Sequence, residues 1–404
     1  MKILRTIILF SLAVLLAVQV PFVYRRYKIG QLANRISELQ KAAADDPRHQ
    51  KPGFSEYKGV MHVHTFLGGH STGTFDELIK AANSNGLDFV VMTEHYENAY
   101  DTSALTLKGR FGKTLFVNGQ EVDTNDGGRF LLLPGSPDSP AFAGVDSTSF
   151  LEQIHSEGRI AINNYPERNR SDVIDFDGME AYSLHINAKA SNPFTAIFDV
   201  LWSFSAYPEA TYATYFRRND DYLRRYDAIS AKKRLLLTAG ADAHSNKGYY
   251  LLADDEGNKH FGIKIDPYET VFRLVRMHVL LESGTALTGE SLIDALKKGH
   301  AYVGFDVLSD ASGFSFTADS GSERRIMGDE IEVGSGVKLT ASAPVPARFV
   351  LFKDGERIEE AADVSEFSVN VINVGVYRVE VYLDRLGEPF DRAPWIMSNP
   401  IYVR

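Results

Sequence analysis

The sequence predicts an α/β fold: a buried parallel sheet, favoured as a closed barrel, with an apolar helix before it and a β-rich unit after it. Three observations predict this. Apolar strand-like runs alternate with amphipathic helical runs from about Phe54 to Phe305. An uncharged stretch stands near the start of the 404-residue chain. Helical periodicity disappears after Phe305, where alternating runs replace it. A hydrophobic content of 44% with 24% charged residues is ordinary for globular chains, so a real core can form.

The apolar start is Thr6–Val23, reading TIILFSLAVLLAVQVPFV without a charge. A hydrocarbon core of about 30 Å takes about 20 helical residues, so the stretch suits a single-pass membrane anchor. A cleaved signal peptide is the rival, with an apolar run of about 7–15 residues and a small-residue cleavage site. Here the run leads into Phe22, Val23, Tyr24, Arg25 and Arg26, and an uncleaved anchor is expected. Lys2 and Arg5 lie on one side and Arg25, Arg26 and Lys28 on the other, so the positive-inside rule barely orients it. A signal-anchor orientation puts the body outside the cytoplasm, in the periplasm. Ile29, Leu32, Ile36 and Leu39 recur at 3/4 spacing and predict a helical stalk, two heptads being too few to claim a dimer seam. The expected division is 1–28 cytoplasmic tip and transmembrane anchor, 29–53 stalk and linker, 54–305 barrel, and 306–404 β-sandwich.

Within 54–305 the strand-like runs are 59–64, 88–93, 114–118, 159–163, 178–183 and 235–239. Thr74 and Glu77 form a capping-box pattern for a helix that stops at Gly86, and Ser149 with Glu152 marks a second that stops at Gly158. Continuous apolar strands between such helices mean a parallel sheet covered on both faces. Six or more units favour a barrel over an open sheet. After Phe305, Asp354-Gly355 suits a hairpin turn needing φ > 0, and Val376–Leu383 alternates like a half-buried strand. This region reads as a small immunoglobulin-like β-sandwich.

The chain has no cysteine, which excludes disulfides, thiolate metal sites, Fe–S clusters and a cysteine nucleophile. Any metal must be held by His, Asp or Glu. The net charge is −10, and residues 1–41 carry seven bases and one acid, leaving a strongly acidic body. Nucleic-acid binding is not expected, because it relies on cations meeting phosphates.

The polar residues collect at strand ends. His62 and His64 end the first strand at i and i+2, so both leave one face. His70 follows in the loop, Glu94 and His95 end the second strand, Glu121 follows the third, and Asp242 and His244 follow 235–239. Five of the eleven histidines thus lie past the carboxyl ends of strands, where (β/α) barrels keep their active sites. Imidazole and carboxylate donors together suit Zn²⁺, Mn²⁺ or Fe²⁺.

This arrangement resembles the PHP (polymerase and histidinol phosphatase) family of metallohydrolases. The resemblance rests on Met61-His62-Val63-His64-Thr65, His70, Thr93-Glu94-His95, Gly119-Gln120-Glu121 and Gly240-Ala241-Asp242-Ala243-His244, and spans roughly 54–305. It implies a distorted (β/α)₇ barrel with up to three metals. His62, His64, Glu121 and Asp242 would hold the first; His70, His95 and His244 another, with Glu121 bridging to a middle one. The tail, with ESLIDALKKGHAYVG at 290–304 and PWIMSNPIYV at 394–403, is similar to the carbaryl-hydrolase-like branch.

One position departs from the family pattern. Where a His before Pro usually serves the middle metal, this chain has Tyr165-Pro166. Tyr is a poor ligand at neutral pH, its unperturbed pKa being about 10. His185 is the candidate to compensate, and two metals are expected ahead of three. Glu94 or His70 is the candidate for proton transfer, and Arg168 and Arg170 for an anionic substrate group.

The expected function is a membrane-anchored, metal-dependent hydrolase of small-molecule esters. Phosphate esters come first, carboxylic or carbamate esters second. A metal-holding binding module without turnover is the alternative from another class. Gly69-His70-Ser71-Thr72-Gly73 matches the serine nucleophile elbow, but Thr65–Gly68 separates it from its strand, and the elbow leaves the other histidines idle. Ten aromatics within 194–226 read as an insertion packing its own core, or as a wall over the site or a surface on the bilayer.

Overall fold

The computed structural model describes residues 2–44, 53–168, 173–189, 191–246, 248–253, 259–321 and 323–404. Its fourteen-stranded and six-stranded sheets meet at the histidine-bearing end of the first strand.

Helix α1 (Lys2–Ala44) runs unbroken through the apolar stretch and the predicted stalk. Among the described residues it is the one helix long and apolar enough to cross a membrane. Ile29, Leu32, Ile36, Leu39 and Ala43 are buried against the body, and Gln40 donates to the Val307 carbonyl (3.1 Å). The 3/4 pattern is thus spent on the chain's own core, which leaves no dimer seam there.

The middle region begins with β1 (Phe54–Val63), β2 (Phe89–Met92), β3 (Glu94–His95), β4 (Gly109–Phe111), β5 (Thr114–Val117), β6 (Gln120–Asp123) and β7 (Arg129–Leu133). It continues with β8 (Ile160–Asn163), β9 (Gly178–Ser183) and β10 (Leu236–Gly240). β1 with β2 and β2 with β5 pair in parallel, as do β3 with β6, β8 with β9 and β9 with β10. β7 joins β6 to β8 antiparallel. Past β10 the chain returns to β1: Ala241 N–H donates to Met61 O (3.0 Å), Ala243 N–H to His62 O (3.1 Å) and His64 N–H to Ala243 O (2.9 Å).

Two local expectations change. The sheet is not wholly parallel: β6 and β7 form a hairpin across Thr124–Gly128, where Gly127 takes φ 88°. Asn-Asp-Gly-Gly at 125–128 is an ordinary turn signal that the helix–strand alternation concealed. The second helix (Ser147–Ser156) is capped by Asp146, which accepts from Ser149 N–H (2.9 Å), so Ser149 is inside it rather than its cap. In contrast, helix α2 (Phe75–Ser84) carries the expected capping box between Thr74 and Glu77.

A hairpin, β11 (Gly248–Ala253) with β12 (Lys259–Lys264), precedes β13 (Arg276–Glu282), which pairs antiparallel with the first half of β1 and with β14 (Ala301–Gly304). The C-terminal strands are β15 (Ser315–Asp319), β16 (Arg324–Ile326), β17 (Glu330–Ile331), β18 (Val337–Lys353), β19 (Glu356–Val371), β20 (Gly375–Tyr382), β21 (Ile396–Ser398) and β22 (Ile401–Val403). β21 pairs with both β14 and β20, so this sheet runs on into β14, β13 and β1. The β18–β19 turn has Asp354 at φ 51° and Gly355 at φ 86°, as the Asp-Gly pair predicts.

β20 is not half-buried, because both its faces are covered. Its polar positions, Arg378 and Glu380, are buried as ion pairs rather than solvated. Arg378 grips Asp227 with two bonds (2.6 and 2.7 Å), and Glu380 accepts from Arg218 (2.7 and 2.8 Å). Burial alone would raise the Glu380 pKa, but Arg378 and Arg218 hold it at about 2.

His278 of β13 is fully buried between Glu56 (Nδ1, 2.8 Å) and Asp306 (Nε2, 3.0 Å). Burial disfavours its charge, yet the two carboxylates outweigh this and raise its pKa to about 9. The unfolded value is about 6.5. The stabilisation is therefore full below pH about 6.5 and is lost as pH rises through 9. The stability gap between wild type and His278→Gln is expected to shrink by on the order of 3 kcal/mol from pH 6 to pH 10. Denaturant titrations across that range measure it, and a pH-independent gap would contradict the pairing.

Candidate metal centre

Every strand that ends near the β1–β10 junction contributes. His62 and His64 come from the end of β1, His95 from β3, Glu121 from β6 and Glu180 from β9. Asn164 and Tyr165 follow β8, and Asp242 and His244 follow β10. His70 stands in the loop after the 3₁₀ turn Phe66–Gly68, held by Asn246, which donates to its carbonyl (2.8 Å).

The first group is buried. His62 Nε2 and His64 Nε2 lie 3.5 and 3.6 Å from Asp242 Oδ1, and 3.7 and 3.5 Å from Glu121 Oε2. The second group borders the first. His95 Nε2 is 3.0 Å from Glu121 Oε2, and the Nε2 atoms of His70 and His244 are 2.7 Å apart. Nitrogen or oxygen donors about 2.1 Å from one ion stand roughly 3.0–3.4 Å apart, close to these separations.

The buried atoms themselves fit a cation. His62 Nε2 and both ring nitrogens of His64 have no hydrogen-bond partner. A buried polar atom without a partner costs about 1–3 kcal/mol, so three together need an explanation. The ligating atoms of His62, His64 and Asp242 lie within 4.8 Å of one another, as do those of His64, His70 and His95. Backbone strain gathers here too. His62 (φ 64°), Tyr165 (φ 50°) and Asp242 (φ 44°) all take left-handed conformations, which cost non-glycine residues energy and cluster at functional sites.

The surroundings orient the ligands. Glu180, fully buried, accepts from His62 Nδ1 at 2.8 Å and so turns Nε2 toward the site. Gly240 allows this, because a Cβ there would stand 2.1 Å from Glu180 Oε2. Burial opposes a charge on His62, but Glu180, Asp242 and Glu121 outweigh it and raise its pKa well above the ordinary value. Burial and the neighbouring His244 push His64 the other way. Glu121 stays ionised because His62 and His95 overcome its desolvation.

The predicted residues divide. His62, His64, His70, His95, Glu121, Asp242 and His244 come together as described. Glu94 does not join them. Neighbours on a strand face opposite ways, so His95 turns toward Glu121 and Glu94 away from it. Its oxygens accept from Thr65 N–H (2.9 Å), Thr65 Oγ (2.6 Å) and Thr106 Oγ (3.3 Å), which tie it to the loop after β1. His185, in the helix Leu184–Lys189, lines a cavity beside Asp242 and His244 but belongs to neither three-residue group. Arg168 is exposed and stacks over the Tyr165 ring (4.9 Å), and Arg170 lies outside the described residues. Ser71 donates its hydroxyl to the His244 carbonyl rather than to an imidazole, which does not favour the serine elbow.

Four contributors were missed. Glu180 breaks an otherwise apolar, buried strand, and that lone charge was a readable signal. Arg129 Nη1 sits 3.6 Å from Glu121, and Asn164 donates to the same carboxylate. Neither had a spacing that marked it. Tyr165, noted only as a departure, donates from its hydroxyl to Asp242 Oδ2 at 2.5 Å. Burial and Asp242 push its own pKa far up, so it remains a neutral donor.

No protein-family profile and no curated protein matches the chain. Among solved structures it is similar to a two-domain protein of Bacteroides vulgatus ATCC 8482, described as containing a predicted PHP-like metal-dependent phosphoesterase. That likeness has 15% identity and a TM-score of 0.37, and covers 87% of this chain and 96% of the other. It is also similar to PsfC of Pseudomonas syringae PB-5123, with 13% identity, a TM-score of 0.36, and 62% and 94% coverage.

Replacing Glu180 with Gln is expected to weaken metal binding about 10–100-fold, as loss of such an orienting carboxylate does. A competition titration with a chromogenic chelator measures it. Unchanged affinity would mean that His62 is oriented by something else.

Proposed function

We propose that the chain is a metal-dependent hydrolase, in the first place a phosphoesterase, with its centre built by His62, His64, His70, His95, Glu121, Asp242 and His244. The observation that carries this is the pair of buried, partnerless Nε2 atoms of His62 and His64 facing two carboxylates. We read the strand succession as a distorted (β/α)₇ PHP barrel and 306–404 as the accompanying immunoglobulin-like β-sandwich.

When bound, divalent Zn²⁺, Mn²⁺ or Fe²⁺ supplies Lewis acidity and a water acidic enough to attack near neutral pH. The rest falls to the chain. Asp242 and Glu121 set the negative charge of the centre, and Tyr165 and Asn164 hold their outer oxygens in place. The paired His70 and His244 are the exposed edge of the cluster, and His70 takes the proton-transfer role at the leaving oxygen once Glu94 is committed to the loop. Arg129 and Arg168 flank Tyr165 and offer positive charge to an anionic ester.

We read α1 as an uncleaved single-pass anchor that holds the body on the extracytoplasmic side. Supporting this, its residues up to Val23 are largely exposed and apolar, while those from Ile29 build the core. Tyr165 in place of a histidine favours a second reading, a metal-holding binding module. Carboxylic or carbamate esters are the second substrate choice on the same site.

Turnover of an aryl phosphate by metal-loaded protein tests the first reading. A chelator is expected to abolish it, added metal to restore it, and Ser71→Ala to retain it. Metal-loaded protein that cleaves neither aryl phosphates nor aryl esters would leave the binding module.

A further inference from the structure

The helix Pro193–Asp199, extended by a π turn at Val200–Phe204, is apolar on two opposite faces. One face, with Ala196, Val200 and Phe204, walls a mostly apolar cavity of about 240 Å³. Asp242 and His244 of the metal centre line the same cavity. The other face carries Phe194, Ile197 and Leu201, which are 59%, 42% and 64% exposed. A surface helix in water keeps its outer face polar, and apolar residues all round call for a second apolar environment.

The contacts of this helix with α1 point to that environment. Phe198 stacks on Phe22 of α1 (3.8 Å), and Phe194 meets the same ring edge-on (5.8 Å). Trp202 donates to Gln19 (3.0 Å), and Arg25 clamps Asp199 (2.7 and 2.8 Å). These contacts fall where the uncharged stretch of α1 ends, which on the anchor reading given above is the level of a bilayer surface. Exposed Tyr24 and Tyr27 stand beside them, as interfacial aromatics do. The helix therefore lies where an interfacial apolar helix would lie in the membrane.

We propose that the substrate is a membrane lipid with an ester headgroup, a lipid phosphate first, whose chain enters the apolar cavity from the bilayer while its headgroup reaches the metal centre. This rests on the hydrolase reading above and adds the substrate class. In the reaction a water oxygen forms the new bond to phosphorus, the bond to the lipid alcohol oxygen breaks, and the proton passes to that alcohol. Inorganic phosphate is released and the alcohol stays in the bilayer.

The test uses the full chain in lipid nanodiscs, loaded with Mn²⁺. Phosphate release is compared for n-butyl phosphate, n-octyl phosphate and phosphatidic acid in the same discs. Each buried methylene strengthens binding about fourfold, so octyl, with four more, is expected to exceed butyl in kcat/KM by about 250-fold. Phosphatidic acid is expected to be cleaved, and the double variant Ile197→Glu, Leu201→Glu to lower the ratio of lipid to butyl turnover at least tenfold. A readout without turnover accompanies this. Nitroxide-labelled lipids are expected to quench Trp202, with Trp202→Phe isolating the signal of Trp395, which is fully buried. A flat chain-length series, release from butyl phosphate alone, or no quenching would overturn the lipid assignment and spare the hydrolase. No release from any of the three would count against the hydrolase reading itself, and the lipid assignment would fall with it.

Discussion

Replacing His62 and His244 with Ala is expected to remove the metal, from about two equivalents per chain to near none, and to lower ester turnover more than about 100-fold. The magnitude follows from the arrangement, since even orienting partners of metal ligands are worth about 10–100-fold. His62 belongs to the buried group with His64 and Asp242, and His244 to the exposed pair with His70, so the double change strikes both halves. Elemental analysis of protein purified with Mn²⁺ or Zn²⁺ reads it directly. Because His62 is fully buried, Asp242→Asn serves as a second, nearly isosteric variant. It keeps the volume and an acceptor for Tyr165 but removes one charge. Retention of two equivalents in both variants would end the assignment of this cluster as a metal centre. Three equivalents in the wild type would point to a complete middle site in spite of Tyr165.

The second large effect concerns stability. Arg378→Met is expected to destabilise the fold by about 3–5 kcal/mol, the usual cost of leaving a buried ion without its partner. Arg378 is 1% exposed and bonds both Asp227, on the helix Asp220–Ser230, and Glu380 on its own strand. Without it Asp227 has lost its cation, while Glu380 keeps Arg218. Adding Asp227→Leu to Arg378→Met is therefore expected to recover much of the loss, since a buried pair replaced by apolar residues is often close to neutral. Denaturation midpoints of the two single variants and the double variant complete the cycle. Additive losses would mean that the two residues do not act as a pair.

Much of the site is legible in the sequence. H-x-H at 62–64 and D-x-H at 242–244 are spacings of two at strand ends, and a strand's period of two sends both members to one side. The Thr74–Glu77 box and the Asp354-Gly355 turn were equally local, because each is closed by groups within a few residues. The uncharged run of α1 was plain from composition alone.

What the sequence left undecided involves partners far apart in the chain. Glu180 reaches His62 across 118 positions, and Tyr165 reaches Asp242 across 77. Each stands out locally, Glu180 as a lone charge in its strand and Tyr165 by its place before Pro166, but nothing local names its partner. The same holds for the stalk: its 3/4 stripe showed that one face would be buried, but its own body and a second copy are equally apolar partners. Alternation in β20 showed two kinds of face, yet only the packing of Asp220–Ser230 above it made the polar face a buried ion pair. Residue type and period determine which atoms a segment must satisfy. Tertiary structure alone decides which distant group satisfies them, because hydrophobic burial is non-directional and an ion pair needs only that its two ends meet.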